Sequence, residues 1–278
     1  ISVLIGGMWV MNLSYWGFNQ YIIQRALAAK DVPEAQKGIM FAAYLKMLIP
    51  VIVVLPGVAA VMLAPDLEMP DKAYPTVMTL LPSGLLGLVF AALIAAIVSS
   101  LASMMNSIST IFTMDFYRNH VKTDASEKHL VFVGRSVSLI AMVIAMIVAR
   151  PLLGNFEQAF QYIQEFTGFF TPGVCALFLM GIFWKRTTAN GALGIALGSA
   201  LYSFGFFMFL PDVPFIDRVG WVFVLCIVTG VVISKVQGAE EHPDAIKFKD
   251  VDTSTTGGFN FAAAGVILML VALYATWW

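Results

Sequence analysis

Charge is what this sequence has least of. Of its 278 residues, 12% are charged and 59% are hydrophobic. Soluble domains carry about 25% charged residues. Half that density leaves no polar coat for a surface that faces water everywhere, so lipid must be the solvent over most of it. Net charge is -1, so nothing argues for a nucleic-acid partner. Cysteine is nearly absent. The two present, Cys175 and Cys226, lie inside apolar runs and read as packing residues, not a disulfide or metal pair. The three histidines, His120, His129 and His242, fall in polar connections. No Ser/His/Asp set, metal-spaced cluster or phosphate loop occurs, so the sequence offers no catalytic residues and is not read as an enzyme. The chain opens on Ile1 inside an apolar run, with no basic stretch or cleavage site of a signal peptide before it. It closes on Trp277-Trp278, again in an apolar run, and is expected to be part of something longer.

What is present is a succession of long apolar runs. A helix needs about 20 such residues to cross the hydrocarbon. Runs of that kind cover residues 1–28, 38–63, 83–114, 130–153, 158–184, 190–210, 218–236 and 259–278, so eight spans are expected. The connections are short, apart from a polar loop at 237–258. Lys and Arg mark the cytoplasmic side. Arg25, Lys30 and Lys37 mark the first connection, Arg118, Lys122 and Lys128 the third, Lys185-Arg186 the fifth, and Lys235, Lys247 and Lys249 the seventh. The second, fourth and sixth carry Lys72, Arg150 and Arg218 singly. That alternation predicts a first span entering from outside and residue 278 ending outside.

Polar groups inside these runs are the candidate functional residues. In the first, Asn12, Tyr15 and Asn19 share a helical face by spacing, and Gly17 can ease a break. A broken helix bearing amides suits a midplane substrate site; the same amides also suit hydrogen bonding to neighbouring helices. Lys46 lies about two turns, ~11 Å, inside its run. It either snorkels to the headgroups or faces a polar cavity. Ser99 and Ser100 place adjacent hydroxyls in hydrocarbon, where a hard cation would find oxygen ligands. Yet Ala95, Ser99, Ser103 and Ser107 also repeat every four residues, the pattern of close helix packing. Gln161, Gln164 and Gly168 line one face beside Phe160 and Glu165. Amide next to aromatic fits a sugar's hydroxyl rim and C–H face, or an interfacial belt. Gly191, Gly194 and Gly198 favour close helix packing over any phosphate site.

Several of these stretches together resemble the solute:sodium symporter family, in its sugar-carrying branch. They are Asn12-Leu13-Ser14-Tyr15-Trp16-Gly17-Phe18-Asn19-Gln20-Tyr21-Ile22-Ile23-Gln24-Arg25, Lys46, Asp71-Lys72-Ala73-Tyr74-Pro75, Ala95 to Met104, and Phe160-Gln161-Tyr162-Ile163-Gln164-Glu165. Lys185-Arg186 followed by Gly191-Ala192 is similar too. The resemblance runs over nearly the whole chain. It implies an all-α polytopic membrane protein of the LeuT-type inverted-repeat fold, in a cytoplasmic (inner) membrane. Residues 1–184 would form the second five-helix repeat, its first helix discontinuous. Residues 185–278 would add three peripheral helices, with the polar loop at 237–258 between two of them. The first repeat is missing from this chain and would be its partner. The implied activity is sodium-coupled monosaccharide symport, of galactose or glucose type, by alternating access. The co-transported ion is sodium, in place of any cofactor. Asn12, Tyr15, Lys46 and Gln164 would contact the sugar. Tyr15, Trp16 and Phe160 would gate it. Ser99, Ser100 and the Ala96 carbonyl would hold sodium. Ser14 stands where the family member that this chain resembles has an aromatic, and the 64–82 connection is shorter than in that member. Two alternatives stand beside this: a symporter-like input domain of a membrane sensor kinase, and a sodium symporter for another polyol such as inositol.

Overall fold

A computed structural model describes residues 6–65, 67, 69–153, 159–238, 240–242, 245, 246 and 251–277. Asp66, Glu68, Asp244, Lys247, Lys249, Trp278, the beginnings of the first and fifth expected spans and the side chain of Arg150 lie outside that set. Every long element among the described residues is helical.

In chain order the helices are α1 (Gly7–Leu13), α2 (Gln20–Leu27), α3 (Val32–Lys46), α4 (Leu55–Leu63), α5 (Ala73–Thr79), α6 (Ser83–Thr110), α7 (Glu127–Leu153), α8 (Ala159–Gly168), α9 (Thr171–Phe183), α10 (Ala189–Phe209), α11 (Phe215–Val236) and α12 (Gly257–Trp277). Three wider π-helical stretches, Ser14–Phe18, Pro50–Val54 and Ile111–Val121, interrupt or extend them. Six helical segments are long and apolar enough to cross a membrane: Val32–Leu63, Ser83–Val121, Glu127–Ala149, Ala189–Phe209, Phe215–Val236 and Gly257–Thr276. The pair α8 and α9, bent by 45°, is long and apolar enough only when taken together, as a broken span or a re-entrant loop. The chain is therefore a polytopic all-α membrane protein. Of the eight expected spans, the first differs most. It is divided between α1, a π turn and α2, because Asn19 takes extended torsions (φ -82°, ψ 117°).

Two compact units divide the chain: Ile1–Met40 with Phe160–Trp278, and Phe41–Ala159. In the first, α9, α10 and α11 pack around Ala176, Met180, Ile195, Val222 and Cys226, all buried. Val10 of α1 joins Cys175 and Val219 in an adjoining cluster. Both cysteines are thus core residues with free thiols.

Glycine makes this packing possible at two crossings. A Cβ on Gly7 would lie 2.0 Å from the Ile216 carbonyl oxygen, so α1 touches α11 backbone to backbone. A Cβ on Gly191 would lie 2.3 Å from Ser234 Oγ. That hydroxyl accepts a 3.1 Å hydrogen bond from the Thr188 N–H, and the Thr188 side chain in turn caps α10 by accepting from the Gly191 N–H. A polar clamp thus fixes the start of α10 against the end of α11.

The polar loop is tied down as well. The Gln36 side chain donates to the Ser254 carbonyl at 2.9 Å and accepts from the Thr256 N–H at 3.4 Å. Hydrogen bonds from the Ser254 side chain and N–H hold the Asp252 carboxyl below its ordinary pKa.

In the second unit, α6 and α7 pack side by side. Their contact lies near the end of α6, where a Cβ on Gly134 would meet Ser109 Oγ at 2.7 Å and Ser107 is buried. Elsewhere both helices present apolar side chains outward, as hydrocarbon solvent demands.

The α1–α11 approach yields a direct test. Gly7→Ala forces a methyl into the Ile216 carbonyl and should cost about 1–3 kcal/mol. Gly57→Ala, with nothing within 4 Å, should change stability by less than about 0.5 kcal/mol. Thermal unfolding of the detergent-solubilised protein checks this; equal melting temperatures for the two variants would contradict the close approach.

Candidate functional site

The candidate residues lie in both units, and each unit contributes a distinct set. In the first unit they gather around the broken helix and the bent pair. In the second they lie on α3 and α6.

At the broken helix, the π turn over Ser14–Phe18 adds width before the chain leaves helical torsions at Asn19. The Asn19 carbonyl then accepts from the N–H groups of Ile22 and Ile23, at 3.1 and 3.0 Å, and starts α2. Asn19 therefore does not extend the face that Asn12 and Tyr15 share by spacing. Asn12 donates from Nδ2 to the Met8 carbonyl at 2.9 Å, one turn back. This leaves the side-chain oxygen as an acceptor. Tyr15 reaches over the break: its hydroxyl hydrogen-bonds that of Tyr21 on α2. Its ring packs edge-on against Trp16, with centroids 5.0 Å apart, and against Tyr21, 5.9 Å apart. Phe18 anchors the far end of the π turn by stacking on Phe178 of α9, at 4.6 Å and 5°. Tyr15 and Trp16 stay 42% and 45% exposed. The break thus presents two large aromatic faces on a segment fixed at both ends.

On α8, Phe160 is 73% exposed and Gln164 half-buried. Gln161 donates to Glu165 at 3.2 Å, so the carboxylate on this helix is held by its own neighbour. Gly168 and Glu165 line a cavity of about 20 Å³ with Phe169, Ser203 and Arg218.

In the second unit Lys46 is the last residue of α3. The reason lies four residues on. Pro50 has no N–H, so the next hydrogen bond of the helix, to the Lys46 carbonyl, cannot form. Two turn residues and the π stretch Pro50–Val54 follow, in which Leu55 donates to the Pro50 carbonyl instead. Lys46 is exposed at this irregular point of the span. Ala96, Ser99 and Ser100 lie mid-way along α6 and are exposed. The Ser99 carbonyl accepts from Ser103 Oγ at 3.0 Å. Of the four small residues Ala95, Ser99, Ser103 and Ser107, only Ser107 is buried. Within this unit, close packing of α6 uses Ser107 and Ser109, not Ser99.

The features that sequence reasoning missed are Pro50, Pro172 and the hydroxyls of Ser199 and Ser203. The prolines were open to a search for helix interiors lacking an N–H. The serines carried no such signal, because their partner, the Phe169 carbonyl between α8 and α9, lies 30 and more residues away in sequence.

Helices of this length and apolarity, one of them broken and lined with amides and aromatics, define a multi-pass membrane protein. Residues 2–198 match the sodium:solute symporter family, and the chain belongs to that family. It is 46% identical to a sodium/glucose cotransporter of Vibrio parahaemolyticus, over all of this chain and 54% of that protein. A sodium/myo-inositol cotransporter 2 of Mus musculus is 41% identical over 71% of the chain and 32% of its own length. An uncharacterised symporter of Escherichia coli K12, YidK, is 31% identical over 99% of the chain and 48% of its own length. The chain spans about half the length, or less, of these relatives.

The Tyr15 geometry separates the work of ring and hydroxyl. Tyr15→Phe keeps the ring packing and loses only the bond to Tyr21, and should cost about 0.5–1.5 kcal/mol of stability. Tyr15→Ala loses both and should cost more. Thermal unfolding in detergent decides; equal losses in both variants would assign the role to the hydroxyl.

Proposed function

We propose that this chain is the second half of a sodium-coupled monosaccharide symporter of the galactose/glucose type, working by alternating access in a cytoplasmic membrane. It is part of a transporter, not an enzyme. Residues 1–184 form the second repeat of a LeuT-type inverted-repeat fold and residues 185–278 its peripheral helices. The first repeat, outside this sequence, supplies the facing surfaces. The observation that carries the reading is the hydroxyl pair Ser99–Ser100, exposed in the middle of a membrane-spanning helix and not used in its packing against α7. Family membership and the 46% identity with a sodium/glucose cotransporter support sodium as the ion this pair would meet.

The roles follow from the residues. Ser99 and Ser100, with the Ala96 carbonyl, offer oxygens to sodium. Neighbours on a helix point about 100° apart, so one ion meets both hydroxyls only where a facing element completes its shell. Lys46 donates to sugar hydroxyls. Asn12 and Gln164 supply amides that can both donate and accept, as a polyol requires. Tyr15 lies on the C–H face of the ring, with Trp16 beside it, and Phe160 covers the outer side. A helix interrupted midway along its length supports this arrangement, because loosened backbone is tolerated in a membrane where it lines a cavity. A second reading keeps the mechanism and changes the cargo to an inositol-like polyol. The 41% identity with a sodium/myo-inositol cotransporter favours it specifically.

Two measurements on the full-length parent test these assignments. Lys46→Ala removes a charged donor and should weaken sugar binding by about 1.5–3 kcal/mol. Unchanged affinity and uptake would return Lys46 to a headgroup anchor. Ser99→Ala with Ser100→Ala should nearly abolish sodium-driven uptake in a protein that still folds. Sodium and sugar should each tighten the other's binding by one common factor, and the double change should shrink that factor. Normal sodium dependence in the double variant would make the serines packing residues only.

A further inference from the structure

The bend between α8 and α9 is built by a side chain from a third helix. Two residues, Phe169 and Phe170, separate α8 from α9. Pro172 has no N–H to give the Gly168 carbonyl, so one helical hydrogen bond is already lost. The next, from the Gly173 N–H to the Phe169 carbonyl, is replaced. Ser199 Oγ of α10 accepts from the Gly173 N–H at 3.0 Å and donates to the Phe169 carbonyl at 2.8 Å. Its hydroxyl is wedged into the ladder and satisfies both groups. Ser203, one turn along α10, donates to the same Phe169 carbonyl at 3.3 Å. Ser199 is only 1% exposed, so water cannot take its place. A side chain inserted in the ladder is a recognised cause of a sharp kink.

Glycine permits the insertion: a Cβ on Gly173 would fall 2.4 Å from that of Ser199. Two neighbouring carbonyls are provided for locally. Thr167 accepts from the Phe170 N–H at 3.1 Å and from Thr171 Oγ1 at 2.9 Å, and Val174 donates to Phe170 at 3.0 Å. The buried Gly173 N–H therefore depends on Ser199, and the Phe169 carbonyl takes its shorter hydrogen bond from it, with Ser203 as a second donor.

We propose that Ser199 is a positioning residue: by bridging Gly173 and Phe169 it sets the angle at which α8 carries Gln164 and Phe160 to the substrate. The consequence for sugar affinity rests on the transport reading above; the consequence for the angle does not. With Ser199→Ala, Gly173 is released to bond Phe169 directly. The bend relaxes and α8 swings away from its present direction. Ser199→Thr keeps the hydroxyl and restores the bridge.

The test uses the full-length parent with its other cysteines replaced and two spin labels, at Ile163 on α8 and Phe209 on α10. Ser199→Ala should shift or broaden the label distance, and Ser199→Thr should return it. In unlabelled protein Ser199→Ala should raise the sugar half-saturation constant about tenfold, the worth of one net hydrogen bond, with maximal uptake per folded transporter changed less. An unchanged label distance in Ser199→Ala overturns the bridge as the determinant of the bend. An altered distance with unchanged sugar half-saturation overturns the positioning role. A parent that moves no sugar, yet shows the distance change, removes the transport reading and leaves the bend standing. Should Ser199→Ala fail to fold, Ser199→Cys, which keeps the volume with a weaker bridge, should show the same change in smaller degree.

Discussion

Hydrocarbon offers no hydrogen bonds, and that one constraint orders this structure. A backbone N–H or C=O left open there costs several kcal/mol. A long unbroken helix meets the condition alone, and most of the chain does so. Among the described residues, three departures bear on the candidate residues. At Asn19 the chain leaves helical torsions. At Pro50 and Pro172 a donor is missing. Each departure is answered differently: a carbonyl that starts the next helix, a widened π stretch, and a hydroxyl borrowed from another helix.

Those three places also hold most of the candidate residues of both units. Asn12, Tyr15 and Trp16 precede the first break. Lys46 stands at the second. Phe160, Gln164 and Glu165 lead into the third. The connection is physical. Polar side chains and irregular backbone share one requirement at membrane depth, a neighbourhood that is not lipid. Where a chain provides that for one, the other is tolerated too. Ser99 and Ser100 are the exception, set in a regular helix, and hydroxyls are the cheapest polar groups to leave there.

How much of this could be read from the sequence depended on the range of the cause. Apolar run length placed the spans well: 190–210 was expected for Ala189–Phe209, and 218–236 for Phe215–Val236. Lys46, Tyr15 and the serine pair stood out because polar residues are rare in such runs. Spacing alone put Asn19 on the same face as Asn12 and Tyr15, and there it failed, because a π turn followed by one extended residue ends the 3.6-residue period. Ser199 lay furthest from view. Its significance comes from Gly173 on α9 and Phe169 just before it, both distant in sequence, and no local pattern records that meeting. The close crossings at Gly7 and Gly191 sit between these cases. Glycine announces a close approach without saying to what.

The helical stretch Ser83–Val121 has 39 residues, and its apolar part, 83–114, is ~45 Å long at 1.5 Å per residue. That exceeds a hydrocarbon thickness of about 30 Å, so the excess is taken up by tilt or by the bilayer thickening around it. Ser99 and Ser100 sit at the centre of that apolar part. A rod that tilts about its middle moves its ends and leaves its centre where it was. Membranes of different thickness would therefore swing the two ends of this helix through the headgroups, while the paired hydroxyls keep their depth.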